Sequence, residues 1–280
     1  MPIAGLIYGP EFHHLDHLAP LCALLEIPLI LTEDKLAALA EKFYPDLKIL
    51  HWHPHEAPEK LVTSFDTIIY STPRVLFDEV FFFAQRLHNK RIRTIWCPHG
   101  NSDKGRNSSF MEALQDEELL LTYGPRIEAF LQEKGVTAPT KRVGNYRLAY
   151  YEKHREFYDS LLPKKKLSLL YAPTWQDREN NSSFPKIWPL LLKAPKEFSL
   201  FVKLHPHLYQ QFPEEIATLK KEGVQFIKDF PPIYSLLAKM DLYIGDMSSI
   251  GYDFLAFKRP MVLLTPSELT KAGRYVPPKE

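Results

Sequence analysis

The chain is poor in the features that mark specialised classes of protein. Its two cysteines, Cys22 and Cys97, form neither a disulfide framework nor a metal-binding spacing, as expected in a reducing cytoplasm. No apolar run approaches the roughly 18 residues that span a bilayer. The opening MPIAGLIYGPEFHH lacks the basic stretch and long apolar core expected of a secretory signal. Lysine plus arginine number 35 against 34 acidic residues, and a formal net charge of +1 disfavours a nucleic-acid binder driven by bulk charge. Neither a repeat of about 20–50 residues nor a low-complexity tract is present. What remains is a globular composition, 45% hydrophobic and 25% charged, at a length of 280 residues that suits two ordinary domains.

Short apolar runs alternate with amphipathic segments along the whole chain. Strands are expected at Ile3–Tyr8, Pro28–Thr32, Leu47–Trp52, Thr67–Tyr70, Arg93–Cys97 and Leu119–Thr122. Helices are expected between them, including Asp34–Phe43, Leu76–Leu87 and Pro125–Glu133, the last with proline at its start. A tyrosine-rich helix over Tyr146–Leu162 and the run Pro163–Lys166 precede a second series of strands at Leu167–Tyr171, Leu200–Leu204, Val224–Ile227, Leu242–Ile244 and Met261–Leu264. The pattern predicts an α/β fold with parallel sheets, arranged as two Rossmann-like domains facing a cleft. The expected boundaries are 1–145 for the N-terminal domain, 146–166 for a linker helix and junction, and 167–280 for the C-terminal domain.

Four strand-to-turn junctions carry reactive residue types: CPHGNSDKG (97–105), YAPTW (171–175), KLHPH (203–207) and GDMSS (245–249). Ligands bind at strand ends in open α/β sheets, so four such junctions together point to a site. His99 is the candidate general base, because an imidazole takes up a proton near neutral pH, and Gly100 allows close approach of a ligand to the backbone. The alternative for His99 is a turn histidine with a purely structural bond. Lys203, His205 and His207 alternate, which places them on one side if the segment is extended, where cationic groups would neutralise a diphosphate. Thr174 offers a hydroxyl and Trp175 a stacking face or a packing group. Ser248 and Ser249 open a short helix after Asp246, either as a cap or as a phosphate cradle at the positive end of the helix dipole.

The remaining histidines admit a metal reading. His13 and His17 are four apart and His51, His53 and His55 alternate, so each set shares a face. No HExxH is present and the nearby Asp16 and Glu56 complete no familiar ligand set, so the expectation is no metal site.

The motifs YAPTW, KLHPH and GDMSSIGYDFLAFKRPMVLL together resemble the C-terminal motifs of the CDP-glycerol glycerophosphotransferases, the polymerases and primases of teichoic-acid synthesis. CPHG resembles that family's Trp-His-Gly strand end, whereas NSDKG departs from the Thr-Pro-Leu-Lys that usually follows it. The resemblance covers about 165–264 well and 93–105 thinly. It implies a GT-B architecture, with a nucleotide-activated donor held by the C-terminal domain and a hydroxyl-bearing acceptor entering from the N-terminal one. By the same resemblance His99 deprotonates the acceptor, while His205 and His207 assist at the donor diphosphate. Ser248 and Ser249 bind its oxygens, Thr174 lines the donor pocket and Asp253 lies near the nucleotide or its ribose.

The implied activity is transfer of a glycerophosphate-like or glycosyl group, with CDP-glycerol the first candidate donor, in cell-surface polymer or glycan synthesis. No cofactor or metal is required. The expected location is cytoplasmic, with room for peripheral contact at the inner face of the membrane. The chain ends soon after its last motif, at GRYVPPKE, without the long C-terminal helix common in this architecture or a basic amphipathic extension. Two alternatives stay open: a nucleotide-sugar epimerase or hydrolase of the same fold, and a catalytically degenerate nucleotide-binding member of the family.

Overall fold

The computed structural model describes residues 2–72, 77–100, 112–163, 167–175 and 182–264. Its described residues up to His154 form one compact unit and those from Arg155 a second. The expected segment NSDKG and the C-terminal GRYVPPKE lie outside the described residues.

Unit 1 runs β1 (Ile3–Ile7), α1 (Leu15–Leu24), β2 (Leu29–Leu31), α2 (Asp34–Phe43), β3 (Ile49–His51), α3 (Ala57–Ser64), β4 (Thr67–Tyr70), α4 (Asp78–His88), β5 (Arg93–Trp96), β6 (Leu119–Thr122), α5 (Pro125–Glu133), β7 (Thr140–Arg142) and α6 (Tyr146–Lys153). A 3-10 turn, Phe12–His14, leads into α1. The seven strands are all parallel, in the order β3-β2-β1-β4-β5-β6-β7. Strands covered by helices on both faces lose the in–out alternation, which is why β2 (LIL) and β4 (TIIY) are buried throughout. The core includes Ala4, Leu6, Ile30, Ile68, Tyr70 and Trp96 from the sheet, with Leu61 and Val62 from α3 and Val80 and Ala84 from α4.

Unit 2 runs α7 (Arg155–Leu161), β8 (Ser168–Ala172), α8 (Phe184–Leu191), β9 (Ser199–Val202), α9 (Pro206–Gln211), α10 (Pro213–Lys221), β10 (Gln225–Phe226), α11 (Ile233–Ala238), β11 (Leu242–Asp246), α12 (Ser249–Phe254) and β12 (Met261–Leu264). Its five strands, again all parallel, are ordered β10-β9-β8-β11-β12. Each sheet therefore grows in one direction from its first strand, returns, and continues from that strand's other side. The reversal falls between β1 and β4 in unit 1 and between β8 and β11 in unit 2. A crevice opens at the carboxyl ends of strands at such a reversal, because the following helices leave to opposite faces.

Two features differ from the expected pattern. The helix expected over Tyr146–Leu162 is two helices, with His154 closing α6. The units divide at that break, which lies inside the stretch read as a linker. Arg147 of α6 donates to Asp16 of α1 at 2.9 Å, whereas α7 receives Ser235 Oγ of α11 on its Tyr158 carbonyl at 3.1 Å. The buried Asp16 carboxylate also accepts Tyr44 Oη at 3.0 Å, so this ion pair is well satisfied.

The second difference is α3, α8 and α9, which do not stand out in the sequence. Prolines mask them: Pro58, Pro185 and Pro206 occupy first-turn positions, where no intrahelical N–H bond is lost. No helix among the described residues is long and apolar enough to cross a membrane.

Candidate functional site

Unit 2 places three of the expected junctions side by side, because β9, β8 and β11 are neighbours in its sheet. Thr174 and Trp175 leave β8, His205 and His207 follow β9, and Asp246 to Ser249 leave β11.

Asp246 is the keystone of this edge. It is 1% exposed, and its Oδ2 accepts the backbone N–H of Thr174 at 2.8 Å and of Ser183 at 3.1 Å. Ser182 Oγ donates to the Thr174 carbonyl at 2.7 Å and accepts the N–H of Phe184 at 3.3 Å. One carboxylate thus pins both ends of the loop that joins β8 to α8. Asp246, expected among the additional ligand contacts, instead holds the backbone that frames the site.

The turn after β11 depends on Gly245. A Cβ there would lie 2.5 Å from the Ala172 carbonyl and 2.4 Å from the Tyr243 hydroxyl, so only glycine fits. The Tyr243 ring lies against Gly245, and its hydroxyl donates to Ala172 O at 3.3 Å beside Ser248. Burial drives the phenol pKa upward and keeps it a neutral donor. Ser248 occupies the N-cap position of α12 in an extended conformation, φ −147° and ψ 165°, yet its side chain makes no cap bond. The capping alternative for Ser248 is therefore not what the structure adopts, and its Oγ is turned inward beside Tyr243.

The extended segment on which Lys203, His205 and His207 would share one side stops short, because α9 starts at Pro206. Lys203 Nζ donates to the Phe230 carbonyl at 3.0 Å, tying the exit of β9 to the segment before α11. His205 becomes the N-cap of α9, and its Nδ1 accepts the N–H of His207 at 3.3 Å. In the neutral ring the proton then sits on Nε2. The His205 and His207 rings lie 5.0 Å apart, with Trp175 at 6.1 Å and 5.3 Å respectively. Trp175 is 37% exposed and so presents a partly open indole beside two imidazoles. Asp253 is buried and accepts Tyr234 Oη at 3.0 Å, joining α12 to α11. Thr174 is also buried, held through its backbone as above.

Unit 1 builds a different cluster at the corresponding place. β1, β4 and β5 are neighbours, and their exits deliver His13 and His14, Ser71, and His99 with Gly100. Gly100 has φ 121°, a conformation in which a side chain is strained. Ring centroids are 4.1 Å apart for His13 and His14, 5.2 Å for His14 and His99, and 6.2 Å for His13 and His99. His99 Nδ1 is 3.1 Å from the Ser71 carbonyl, and Ser71 Oγ is 2.7 Å from His14 Nδ1.

The site favours neutral imidazoles. Burial, then the neighbouring His13 and His99, pushes the His14 pKa down to about 2. Crowding by protein atoms and then the neighbouring His13 lower His99 to about 4, against a smaller upward pull from the Ser71 carbonyl. His99 keeps exposed surface, so hydration offsets part of that depression. A carbonyl only accepts, so the His99 proton sits on Nδ1 and Nε2 is the basic nitrogen. That is the form a general base requires.

His17 also falls well below its usual pKa, mainly through burial, and its Nδ1 lies 3.0 Å from Tyr123 Oη. Tyr123 in turn donates to the Pro98 carbonyl at 3.0 Å, bracing the residue before His99. Away from this cluster, His51 lies 3.2 Å from Asp34, and His53 accepts the N–H of His55 at 3.4 Å. Among the described residues no group of three or more His, Cys, Asp or Glu side chains is arranged to hold a metal ion.

His14, Ser71, Ser182 and Tyr123 did not emerge from the sequence as site residues. The His13-His14 pair after the first strand was the available signal, but its weight depends on β1 lying beside β4.

Two parallel sheets with the same reversal of strand order define the protein as a GT-B-type α/β fold, and solved structures agree. The wall teichoic acid polymerase TagF superposes with TM-score 0.61 at 14% identity, over 93% of this chain and 69% of that one. A UDP-GlcNAc 2-epimerase from Neisseria meningitidis gives TM-score 0.60 at 13% identity, over 96% and 85%. At these identities the likeness concerns the fold alone.

The sequence is more particular. Residues 146–270 match the family described as CDP-Glycerol:Poly(glycerophosphate) glycerophosphotransferase. The teichoic acid glycerol-phosphate primase of Bacillus spizizenii (strain ATCC 23059 / NRRL B-14472 / W23) is 34% identical over 125 residues, 42% of this chain and 31% of the relative. The teichoic acid ribitol-phosphate primase of the same strain is 30% identical over 162 residues, 56% of this chain and 38% of the relative. The matches thus span about a third of the length of these curated relatives.

Proposed function

We propose that the protein is a transferase that moves a glycerophosphate-like group from a nucleotide-diphosphate donor, CDP-glycerol in the first instance, to a hydroxyl acceptor in cell-surface polymer synthesis. The observation that carries this reading is the convergence of the family's motifs on three adjacent strand exits of unit 2, at the reversal of strand order. There the Ser248–Ser249 turn and Thr174 receive the donor diphosphate. His205 and His207 supply protons or positive charge to the leaving nucleotide as negative charge develops on it. Trp175 provides a stacking face beside them. Lys203, Asp246 and Asp253 act one step back, fixing the backbone and helices that carry these groups.

His99 of unit 1 accepts the proton of the attacking hydroxyl at Nε2, while its Nδ1 proton remains on the Ser71 carbonyl. The acceptor oxygen forms a bond to the donor phosphorus, and the bond from phosphorus to the nucleotide oxygen breaks. The nucleoside monophosphate leaves. The chemistry asks for a neutral base and a cationic or hydrogen-bonding diphosphate pocket, and the two units supply one each. In this reading the chain works in the cytoplasm, at the inner face of the membrane.

The test is release of CMP from CDP-glycerol in the presence of a glycerol-phosphate-terminated acceptor, with the product examined for a lengthened chain. CMP release together with chain growth supports the reading. Consumption of a UDP-sugar with inversion or hydrolysis, and none of CDP-glycerol, would replace it with the epimerase or hydrolase alternative.

A further inference from the structure

The two hydrogen bonds on Ser71 form a chain that reaches from a buried histidine to the base. Ser71 follows β4 directly and is fully buried, so its conformation is set by bonding and packing, with no part left to solvent. Its carbonyl faces His99 Nδ1 at 3.1 Å and its hydroxyl faces His14 Nδ1 at 2.7 Å. The exits of β4 and β5 are locked together one residue earlier, where Cys97 N–H donates to the Tyr70 carbonyl at 2.7 Å. His14 itself is 4% exposed at the end of the 3-10 turn.

In water the neutral imidazole carries its proton mainly on Nε2, so the opposite form at His99 requires a fixed acceptor at Nδ1. A peptide carbonyl serves only while its plane is held, and the bond from Ser71 Oγ to His14 is placed to help hold it.

We propose that His14 and Ser71 are positioning residues for His99: His14 anchors the Ser71 hydroxyl, and Ser71 thereby aims its carbonyl at His99 Nδ1 and keeps Nε2 basic. This rests on His99 acting as the base. The other ionisable groups around the chain are accounted for. The His13 ring lies against His14, its centroid 4.1 Å away, and its Nδ1 is 3.3 Å from Glu11 Oε2. His17 is bound to Tyr123, Arg147 to Asp16, and Cys97 lies 3.2 Å from Tyr146 Oη. Burial raises both the Cys97 thiol, to about 12, and the Tyr146 phenol, so neither adds charge near neutral pH. The neighbouring His13 disfavours protonation of both His14 and His99. The chain therefore acts through geometry and tautomer, with burial above all keeping it neutral.

The experiment is nitrogen NMR of the full chain labelled with 15N-histidine at pH 7.5, with the His99 signals assigned by their loss in His99→Ala. The wild type is expected to show His99 protonated on Nδ1. His14→Leu is expected to give a mixture with the Nε2-protonated form and to lower kcat by at least about tenfold, with the donor KM within about twofold. His14→Asn, whose amide can still bond Ser71 Oγ, should recover most of both signals. In a His99→Ala background, His14→Leu should cost nothing further, because groups acting as one unit are not additive.

Should His14→Leu not fold, Ser71→Ala breaks the same hydroxyl bond with less change of volume. A wild-type His99 protonated on Nε2, or an unaltered tautomer and kcat in a folded His14→Leu or Ser71→Ala protein, overturns the proposal. Retained turnover in His99→Ala, with the tautomer still responding to His14, instead rejects His99 as the base and leaves the positioning chain standing.

Discussion

The two units share one scaffold and fill it with opposite chemistry. In each, three adjacent parallel strands deliver their loops to the reversal of strand order: β1, β4 and β5 in unit 1, and β9, β8 and β11 in unit 2. Unit 1 fills that edge with imidazoles, His14 and His17 buried and His99 partly open to solvent, all of them shifted toward the neutral form. Unit 2 fills it with hydroxyls, backbone amides and an exposed indole–imidazole group, organised around one buried carboxylate. In the proposed reading, topology decides where a site lies, and the few side chains at the strand exits decide whether it takes up a proton or an anion.

The comparison breaks most visibly at His99. His99→Ala is expected to lower turnover about 100-fold or more, in the range for loss of a general base, while the protein still folds and binds nucleotide. Steady-state kinetics beside a thermal-shift titration would separate the two effects. A parallel loss of nucleotide binding would mean that His99 belongs to the donor side.

The next largest effect is expected at the keystone of unit 2. Asp246→Ala leaves the N–H groups of Thr174 and Ser183 without their carboxylate, at a cost of about 2–4 kcal/mol in unfolding free energy. Urea denaturation would measure it, and donor binding should fall with it because the β8–α8 loop loses both anchors. A change below about 0.5 kcal/mol would show that the loop does not depend on Asp246. Gly245→Ala comes next, at about 1–3 kcal/mol, since its Cβ would sit 2.5 Å from the Ala172 carbonyl and the two strands would have to part.

A smaller, pH-dependent effect belongs to unit 1. The folded His14 pKa, about 2, lies below the ordinary 6.5, so the unfolded chain binds a proton that the folded chain refuses between those values. Stability therefore falls as pH drops below 6.5, by up to about 1.4 kcal/mol per pH unit for this one group. His99 has the same sign and a weaker effect because it keeps exposed surface. His14→Asn should flatten the acid slope of unfolding free energy against pH, measured from pH 6.5 down to 4.5. An unchanged slope would show that His14 is not held neutral in the folded state.

The sequence made the layers legible because fully buried parallel strands appear as short apolar runs, and nearly every run is a strand. The strand ends were legible too: His99, Thr174, His205 and Ser248 all follow such runs and all reach the sheet edges. What escaped was anything set by pairing across the chain. Asp246 reads as a ligand until its bonds to Thr174 and Ser183 are seen, 72 and 63 residues away. Lys203 reads as a free cation until the Phe230 carbonyl is found on it. The alternation of Lys203, His205 and His207 suggested one face, but Pro206 starts a helix there. His14 shows no role until β1 is placed beside β4, which no local pattern states.

The division of labour between the units is tested most directly by calorimetric titration of CDP-glycerol into three proteins: wild type, His99→Ala, and the double variant Ser248→Ala with Ser249→Ala. The account predicts that His99→Ala binds within about twofold of wild type, while the double serine variant binds about tenfold or more weakly, the loss of one or two hydrogen bonds to a charged group. Absence of binding in the wild type, or equal weakening in both variants, would contradict it.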